Sequence, residues 1–299
     1  MTNRLNDPQP SSVDSWLTAT FPHRHCLRSE IAAELGGCAP LPVDAPDKSF
    51  LGNVVEHAIG LNLCARAPYV RLFNCLSHDQ AIRLLSMAGY APGTHAAVAD
   101  YASWWRGDCG PHPSRLFTVA CRLAYVRDLL HGLDHRRSDA NDVARMLLGR
   151  HPGLLCARPS DVFHTRPAFR HMWASYTSGF EADLRSYGPS AAQLRLLGGS
   201  RHADFLLGTT LLEVKSGRLD QDHYLDSLIN QLLVYVVLAH SDGHSITHMA
   251  VYAARYQRLL RFPVLETLNR LAGSPVDLDE AGIRLSAVVQ PKPAPEGAA

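Results

Sequence analysis

The stretch HADFLLGTTLLEVKS, residues 202–216, determines how the rest of the chain is interpreted. Two short apolar runs flank Gly208 and Thr209, and a glycine in the first of two turn positions favours a type II′ hairpin. Such a turn pairs Leu207 with Thr210 and fixes the register of both strands. The sequence therefore predicts a β-hairpin whose register can be read residue by residue.

One face of this hairpin collects three polar side chains. In the predicted register Asp204 lies opposite Glu213, and strand alternation places Lys215 on the same face as Glu213. Directly opposed carboxylates lie about 5 Å apart at Cβ and repel one another. The reverse face is apolar and consists of Ala203, Phe205, Leu212 and Val214.

A divalent cation would remove this repulsion. The carboxylates of Asp204 and Glu213, with the backbone carbonyl of Val214, are hard oxygen ligands of the kind that Mg²⁺ or Mn²⁺ accepts. The metal would polarise a phosphate and activate water, while Lys215 would orient that water or stabilise the developing charge. The alternative is an ordinary hairpin whose polar side chains point to solvent.

A strong amphipathic helix is predicted from about residue 221 to residue 240. Gln231 and Tyr235 are one turn apart on it and point together. Glutamine can bind a phosphate, a base edge or a metal-bound water, and tyrosine can stack or donate. The alternative is a half-buried pair in which the two side chains satisfy one another.

Asp204, Glu213-Val-Lys215 and Gln231-x-x-x-Tyr235 together resemble the PD-(D/E)XK nuclease superfamily, especially its RecB-like branch. The resemblance implies an α/β (α+β) fold with a restriction-endonuclease-like αβββαβ core. It also implies phosphodiester cleavage, typically of DNA, with Mg²⁺ or Mn²⁺ as the cofactor.

The first helix of that superfamily often supplies a glutamate. Gly52-x-x-x-Glu56 lies in a predicted helix that begins near residue 47, and it is similar to this element. The resemblance therefore implies that Glu56 joins the catalytic and metal-binding residues, and His57 is the alternative match. The chain departs from the family pattern where Ala203 replaces the leading proline of the motif.

The resemblance covers two separated parts of the chain. We expect a discontinuous nuclease core from residues 46–66 and 188–285. The remaining segments are predicted to be an irregular leader (1–45) with one short helix near residues 28–35, a mainly helical insertion (67–187) and a disordered tail (286–299).

Composition excludes several other classes of protein. The chain has 299 residues, is 46% hydrophobic, and lacks both a signal-like apolar segment and a run long enough to span a bilayer. We therefore expect a soluble cytoplasmic protein. Its seven cysteines include no CxxC pair, which argues against a disulfide framework or structural zinc. Eleven arginines between residues 104 and 173, against six aspartates, either attract phosphates or form a solvated helical surface.

We therefore expect a Mg²⁺- or Mn²⁺-dependent deoxyribonuclease, and the resemblance alone suggests antiviral (phage) defence or DNA repair as its setting. Arg218, Arg255 and Arg258 are candidate contacts for nucleic-acid phosphates, although Arg255 and Arg258 could equally edge the sheet. A protein partner or a second copy of the chain is left open. The alternatives are an inactive nucleic-acid-binding or scaffold module that retains the fold, and an unrelated helical protein with a chance motif match.

Overall fold

The computed structural model describes residues 12–43, 48–63, 113–131, 159–199 and 201–289. Its centre is a five-stranded mixed sheet whose strands lie side by side in chain order. The strands are β1 (Ser190–Leu196), β2 (Arg201–Leu207), β3 (Thr210–Lys215), β4 (His248–Ala253) and β5 (Arg258–Pro263). Neighbours are antiparallel except β3 and β4, which are parallel. This mixed architecture agrees with the predicted α+β class.

Helices flank the sheet on both faces. A π-helical turn (Tyr176–Phe180) follows the fifth described helix, and a short 3-10 turn (Leu197–Gly199) follows β1. The described helices are α1 (Val13–Thr20), α2 (His25–Gly36), α3 (Lys48–Leu63), α4 (Pro113–His131), α5 (Pro159–Ser175), α6 (Glu181–Ser186), α7 (Asp222–Ser241), α8 (Val264–Ala272) and α9 (Leu278–Val289).

The β2–β3 hairpin has the predicted register. Leu207 pairs with Thr210, and the next two pairs continue the same alignment. Gly208 has φ +57° whereas Thr209 does not have a positive φ, as a II′ turn requires. A side chain at Gly208 would also collide with the backbone carbonyl of Tyr187. Glycine is therefore needed there both for its conformation and for space.

The parallel pairing of β3 with β4 depends on the helix between them. Parallel neighbours need a crossover connection, and the 20-residue helix α7 provides it. Its apolar side packs against the sheet through residues that include Leu228, Leu232 and Val236. The helix begins and ends within one residue of the predicted bounds.

A first hydrophobic core fills one face of the sheet. Helices α3, α4 and α5 pack there against Phe205, Leu212, Val214 and Tyr252. Three of the four residues predicted for the apolar reverse face thus lie in this core. Ala203 is also fully buried, but it belongs to the core on the opposite face.

The prediction of an irregular leader is wrong for residues 13–20, which form α1, whereas the short helix expected near residues 28–35 is part of α2. Trp16 and Phe21 are fully buried, with Ile31, in a second core that α7, α8 and α9 share. Helix α1 is short and a proline follows it at position 22, so its apolar spacing is visible only once its packing partner is known.

The other predicted boundaries also change. Residues 113–131 and 159–186 of the predicted insertion are helical, as expected, whereas residues 64–112 and 132–158 lie outside the described residues. Residues 286–289 of the predicted disordered tail belong to α9, which ends at Val289. Residues 290–299 lie outside the described residues. Within the described residues, every helix is too short or too polar to cross a membrane.

Candidate active site

The hairpin brings Asp204 and Glu213 together where the β2–β3 ladder opens. Ladder pairing reaches Phe205, and the next position in the same register places Asp204 opposite Glu213. Side chains replace the backbone ladder at this point. The amide of Asp204 donates to Oε1 of Glu213 at 3.2 Å, and the amide of Val214 donates to Oδ2 of Asp204 at 2.8 Å.

Lys215 supplies the positive charge of the hairpin. Its Nζ donates to Oε2 of Glu213 at 2.9 Å, and the Glu213 side chain is fully buried. Burial alone would lower the pKa of Lys215, but the carboxylates of Glu213 and Asp204 outweigh it and raise the pKa. The ammonium is therefore held charged beside the carboxylate pair.

Asp204 is the carboxyl group of the cluster whose ionised form is disfavoured by its surroundings. Burial raises its pKa well above the ordinary value, and the carboxylates of Glu213 and Glu56 raise it further. Lys215 opposes this rise without cancelling it. The folded protein therefore disfavours the ionised form of Asp204, and an added cation would stabilise that form.

Glu56 approaches the hairpin from α3, which lies close to the end of β3. A Cβ at Gly52 would come within 3.0 Å of the Ser216 hydroxyl, so glycine permits this approach. Glu56 is buried and acts electrostatically on Asp204. His57 is also buried, which lowers its pKa to about 4 and keeps it neutral. Glu56 is therefore the residue of this helix whose charge acts on both Asp204 and Lys215.

Arg127 on α4 completes the surroundings of Glu56, and the sequence analysis missed it. Its Nη1 donates to Oε2 of Glu56 at 2.6 Å. Burial would raise the pKa of Glu56, but the Arg127 guanidinium, with smaller effects of His57 and Gln193, outweighs burial and lowers it. The only sequence signal for Arg127 was the arginine-rich segment, which does not single out one residue.

Gln193 on β1 is a second residue that the sequence did not indicate. The β1–β2 register places it opposite Asp204, between ladder pairs on either side. Its Nε2 lies 3.5 Å from Oε1 of Glu56. Glu56 therefore contacts an arginine through one carboxylate oxygen and a glutamine amide through the other.

Gln231 and Tyr235 lie on α7 beside this cluster, and both are half-buried. Burial raises the pKa of Tyr235, and the nearby carboxylate of Glu213 raises it further. Gln231 interacts with the Tyr235 hydroxyl and partly offsets that rise. The two side chains therefore interact with one another and also lie within the electrostatic field of the site.

The three candidate phosphate-binding arginines differ in their availability. Arg255 is 8% exposed, and its Nε donates to the carbonyl of Leu41 at 2.7 Å, so it fastens the segment before α3 to the sheet. Arg218 and Arg258 are exposed. Arg218 forms an ion pair with Asp220, and Arg258 contacts the Cys38 sulfur at 3.0 Å.

The oxygen atoms available in the site are chemically suited to a hard divalent cation. Asp204, Glu213 and Glu56 supply carboxylate oxygens, and Mg²⁺ and Mn²⁺ prefer oxygen ligands. Within the described residues, no three acidic, histidine or cysteine side chains form a ready-made metal-ligand group. The carboxylates are directed towards Lys215, Arg127 and backbone amides instead. Metal binding therefore requires some of these side chains to exchange partners.

Comparisons of the chain with protein-family models, with curated proteins and with solved structures gave no match. The function is therefore inferred from the residues of the site and from the resemblance of their motifs.

Proposed function

We propose that this chain is a metal-dependent nuclease that hydrolyses phosphodiester bonds, with DNA as the expected substrate. The convergence of Asp204, Glu213 and Lys215 with Glu56 of a separate helix carries the proposal. A solvent-facing hairpin would have no need of a buried glutamate from elsewhere in the chain. The order α3, β1, β2, β3, α7, β4, with α4, α5 and α6 inserted between α3 and β1, supports the finer assignment to the αβββαβ core of PD-(D/E)XK nucleases.

Asp204, Glu213, Glu56 and the carbonyl of Val214 are the proposed ligands of Mg²⁺ or Mn²⁺. When bound, the cation would neutralise these carboxylates and polarise the phosphate under attack. The buried surroundings strengthen this electrostatic effect, because few water dipoles screen it. The raised pKa of Asp204 supports a cation at this position, because burial and then the carboxylates of Glu213 and Glu56 disfavour its ionised form, which a cation would stabilise.

Lys215 acts on the reacting groups and is not a ligand. An ammonium has three donors and no acceptor, so it cannot bind a cation. Its Nζ would leave Oε2 of Glu213 to orient the attacking water or to stabilise charge on a phosphate oxygen. The exposed Arg218 and Arg258 would contact phosphates outside the reacting centre, while Gln231 and Tyr235 would contact the substrate from α7.

Direct cleavage assays test this proposal. The purified protein is incubated with plasmid, linear duplex and single-stranded DNA in Mg²⁺, in Mn²⁺ and in EDTA. We expect cleavage that needs the cation and that Asp204→Asn and Glu213→Gln abolish. Glu266→Gln is the matched control, because Glu266 is exposed on α8.

Two outcomes would count against the nuclease. Undiminished cleavage in EDTA would exclude the proposed mechanism. DNA binding without cleavage under every cation condition would favour the inactive nucleic-acid-binding module. Parallel assays on RNA establish whether DNA is the preferred substrate.

A further inference from the structure

Gln193 has a backbone conformation that residues with side chains rarely adopt. Its φ is +50°, in the left-handed region, although it lies in the middle of β1. Glycine would adopt this conformation without steric cost. Strained non-glycine residues cluster at ligand sites, where the surrounding structure holds them in place.

The side chain of Gln193 has a second unfavourable feature. It is only 5% exposed, and its Oε1 is buried without a hydrogen-bond partner among the described residues. The contact of Nε2 with Glu56 fixes the amide orientation, because a carboxylate requires a donor. A buried acceptor without a partner costs free energy. Strain and an unsatisfied acceptor therefore coincide beside the carboxylate cluster.

We infer that Oε1 of Gln193 is a further oxygen ligand of the divalent cation at this site. The inference rests on the proposed function. An amide carbonyl is an ordinary ligand for hard cations. Because it is uncharged, it adds an oxygen without adding to the repulsion among Asp204, Glu213 and Glu56. Cation binding would also give the buried acceptor the partner that it lacks.

Four variants separate the side chain of Gln193 from its backbone. Gln193→Leu removes the acceptor and keeps apolar bulk, and Gln193→Gly also relieves the backbone strain. Gln193→Glu restores an oxygen but cannot donate to Glu56. Gln257→Gly is the matched control, because Gln257 has φ +54° in the turn between β4 and β5.

The readouts are the affinity for Mn²⁺, measured from the electron paramagnetic resonance of the free ion, and the thermal midpoint in EDTA. We expect Gln193→Leu and Gln193→Gly to weaken Mn²⁺ binding by about tenfold or more. Their midpoints in EDTA should change little, because removal of the unsatisfied acceptor offsets the lost contact between Nε2 and Glu56. Gln193→Glu should retain the affinity for Mn²⁺. Gln257→Gly should raise the thermal midpoint without changing the affinity for Mn²⁺.

Three results would overturn the inference. If wild type binds Mn²⁺ and the leucine and glycine variants bind it equally well, Gln193 is not a ligand and the nuclease proposal stands. If Gln193→Glu loses affinity as Gln193→Leu does, Gln193 acts only through its contact with Glu56. If wild type itself does not bind Mn²⁺, the proposed metal site fails together with this inference.

Discussion

Nη1 of Arg127 donates to Oε2 of Glu56 at 2.6 Å and so joins helix α4 to helix α3 inside the candidate site. Both side chains are largely buried. Helix α4 lies in the segment that the sequence predicted to be an insertion, yet its apolar side shares a core with α3 and the sheet. This part of the segment is therefore integral to the candidate site.

The first prediction concerns the strength of this ion pair. Removing one member of a buried pair leaves the other unpaired, so Arg127→Met and Glu56→Gln should each cost about 3 kcal/mol of unfolding free energy. The double variant should cost less than the sum, with a coupling of about 2 kcal/mol in urea unfolding. Arg166→Met is the control, because the exposed Arg166 lies over the Phe117 ring at 5.3 Å and makes a weaker contact.

Additive losses would contradict the first prediction. They would mean that Arg127 and Glu56 stabilise the protein independently. Arg127 would then have no part in holding Glu56 near Asp204.

The second prediction follows from the raised pKa of Asp204. In the metal-free folded protein Asp204 binds its proton more tightly than in the unfolded chain, mainly because of burial and then the Glu213 carboxylate. Its contribution to stability is therefore complete below the ordinary pKa of 3.8 and is lost as pH rises towards the folded-state pKa. Asp204→Asn cannot ionise, so its stability advantage over wild type should grow over that range.

Urea unfolding in EDTA at a series of pH values measures this difference. The asparagine carbonyl can still accept the hydrogen bond from Val214, so the comparison isolates the charge. Saturating Mg²⁺ should reverse the order, because the cation stabilises only the ionised carboxylate. A variant less stable than wild type in EDTA at every pH would be evidence against uncompensated charge at Asp204.

The third prediction separates Lys215 from the metal ligands. Lys215→Met frees Oε2 of Glu213, so Mn²⁺ should bind at least as tightly as to wild type. Cleavage should nevertheless fall by about a hundredfold or more, since a group that stabilises the transition state is lost. Lys215→Arg keeps the charge and should retain more of the activity. Full activity of the methionine variant would remove Lys215 from the mechanism.

Local chemistry explains which parts of the fold could be predicted. The hairpin register follows from the two-residue turn at Gly208, and α7 follows from apolar spacing over about five turns. Both signals lie within continuous stretches of sequence. Asp204, Glu213 and Lys215 could therefore be placed on one face before the structure was known.

The missed residues depend on information that a single sequence does not carry. Arg127 is 71 residues from Glu56, and no periodicity links the two positions. Gln193 contacts Glu56 from a position with positive φ, which no local pattern predicts for a glutamine in a strand. Helix α1 is stable because Trp16 packs into a core shared with distant helices. Each case is a long-range contact that overrides the local pattern.

The last prediction concerns Gln231 and Tyr235, for which the structure supports a structural and a functional interpretation. If the pair only packs, Gln231→Ala should cost about 1–3 kcal/mol by leaving the Tyr235 hydroxyl without its partner. Adding Tyr235→Phe should then recover much of the lost unfolding free energy, and the cleavage rate should not change. Ser227→Ala is the control, since Ser227 is exposed one turn earlier on α7.

We expect the functional result, because burial raises the pKa of Tyr235 and the carboxylate of Glu213, a proposed metal ligand, raises it further. Gln231→Ala should then lower the cleavage rate severalfold with little change in the thermal midpoint. Adding Tyr235→Phe should lower the cleavage rate further instead of restoring it. Both quantities are measured on the same purified samples. Rescue of stability by the second substitution, with unchanged cleavage, would assign the pair to packing. That result would count against the RecB-like role of α7 but would not affect the proposed roles of the hairpin residues and Glu56.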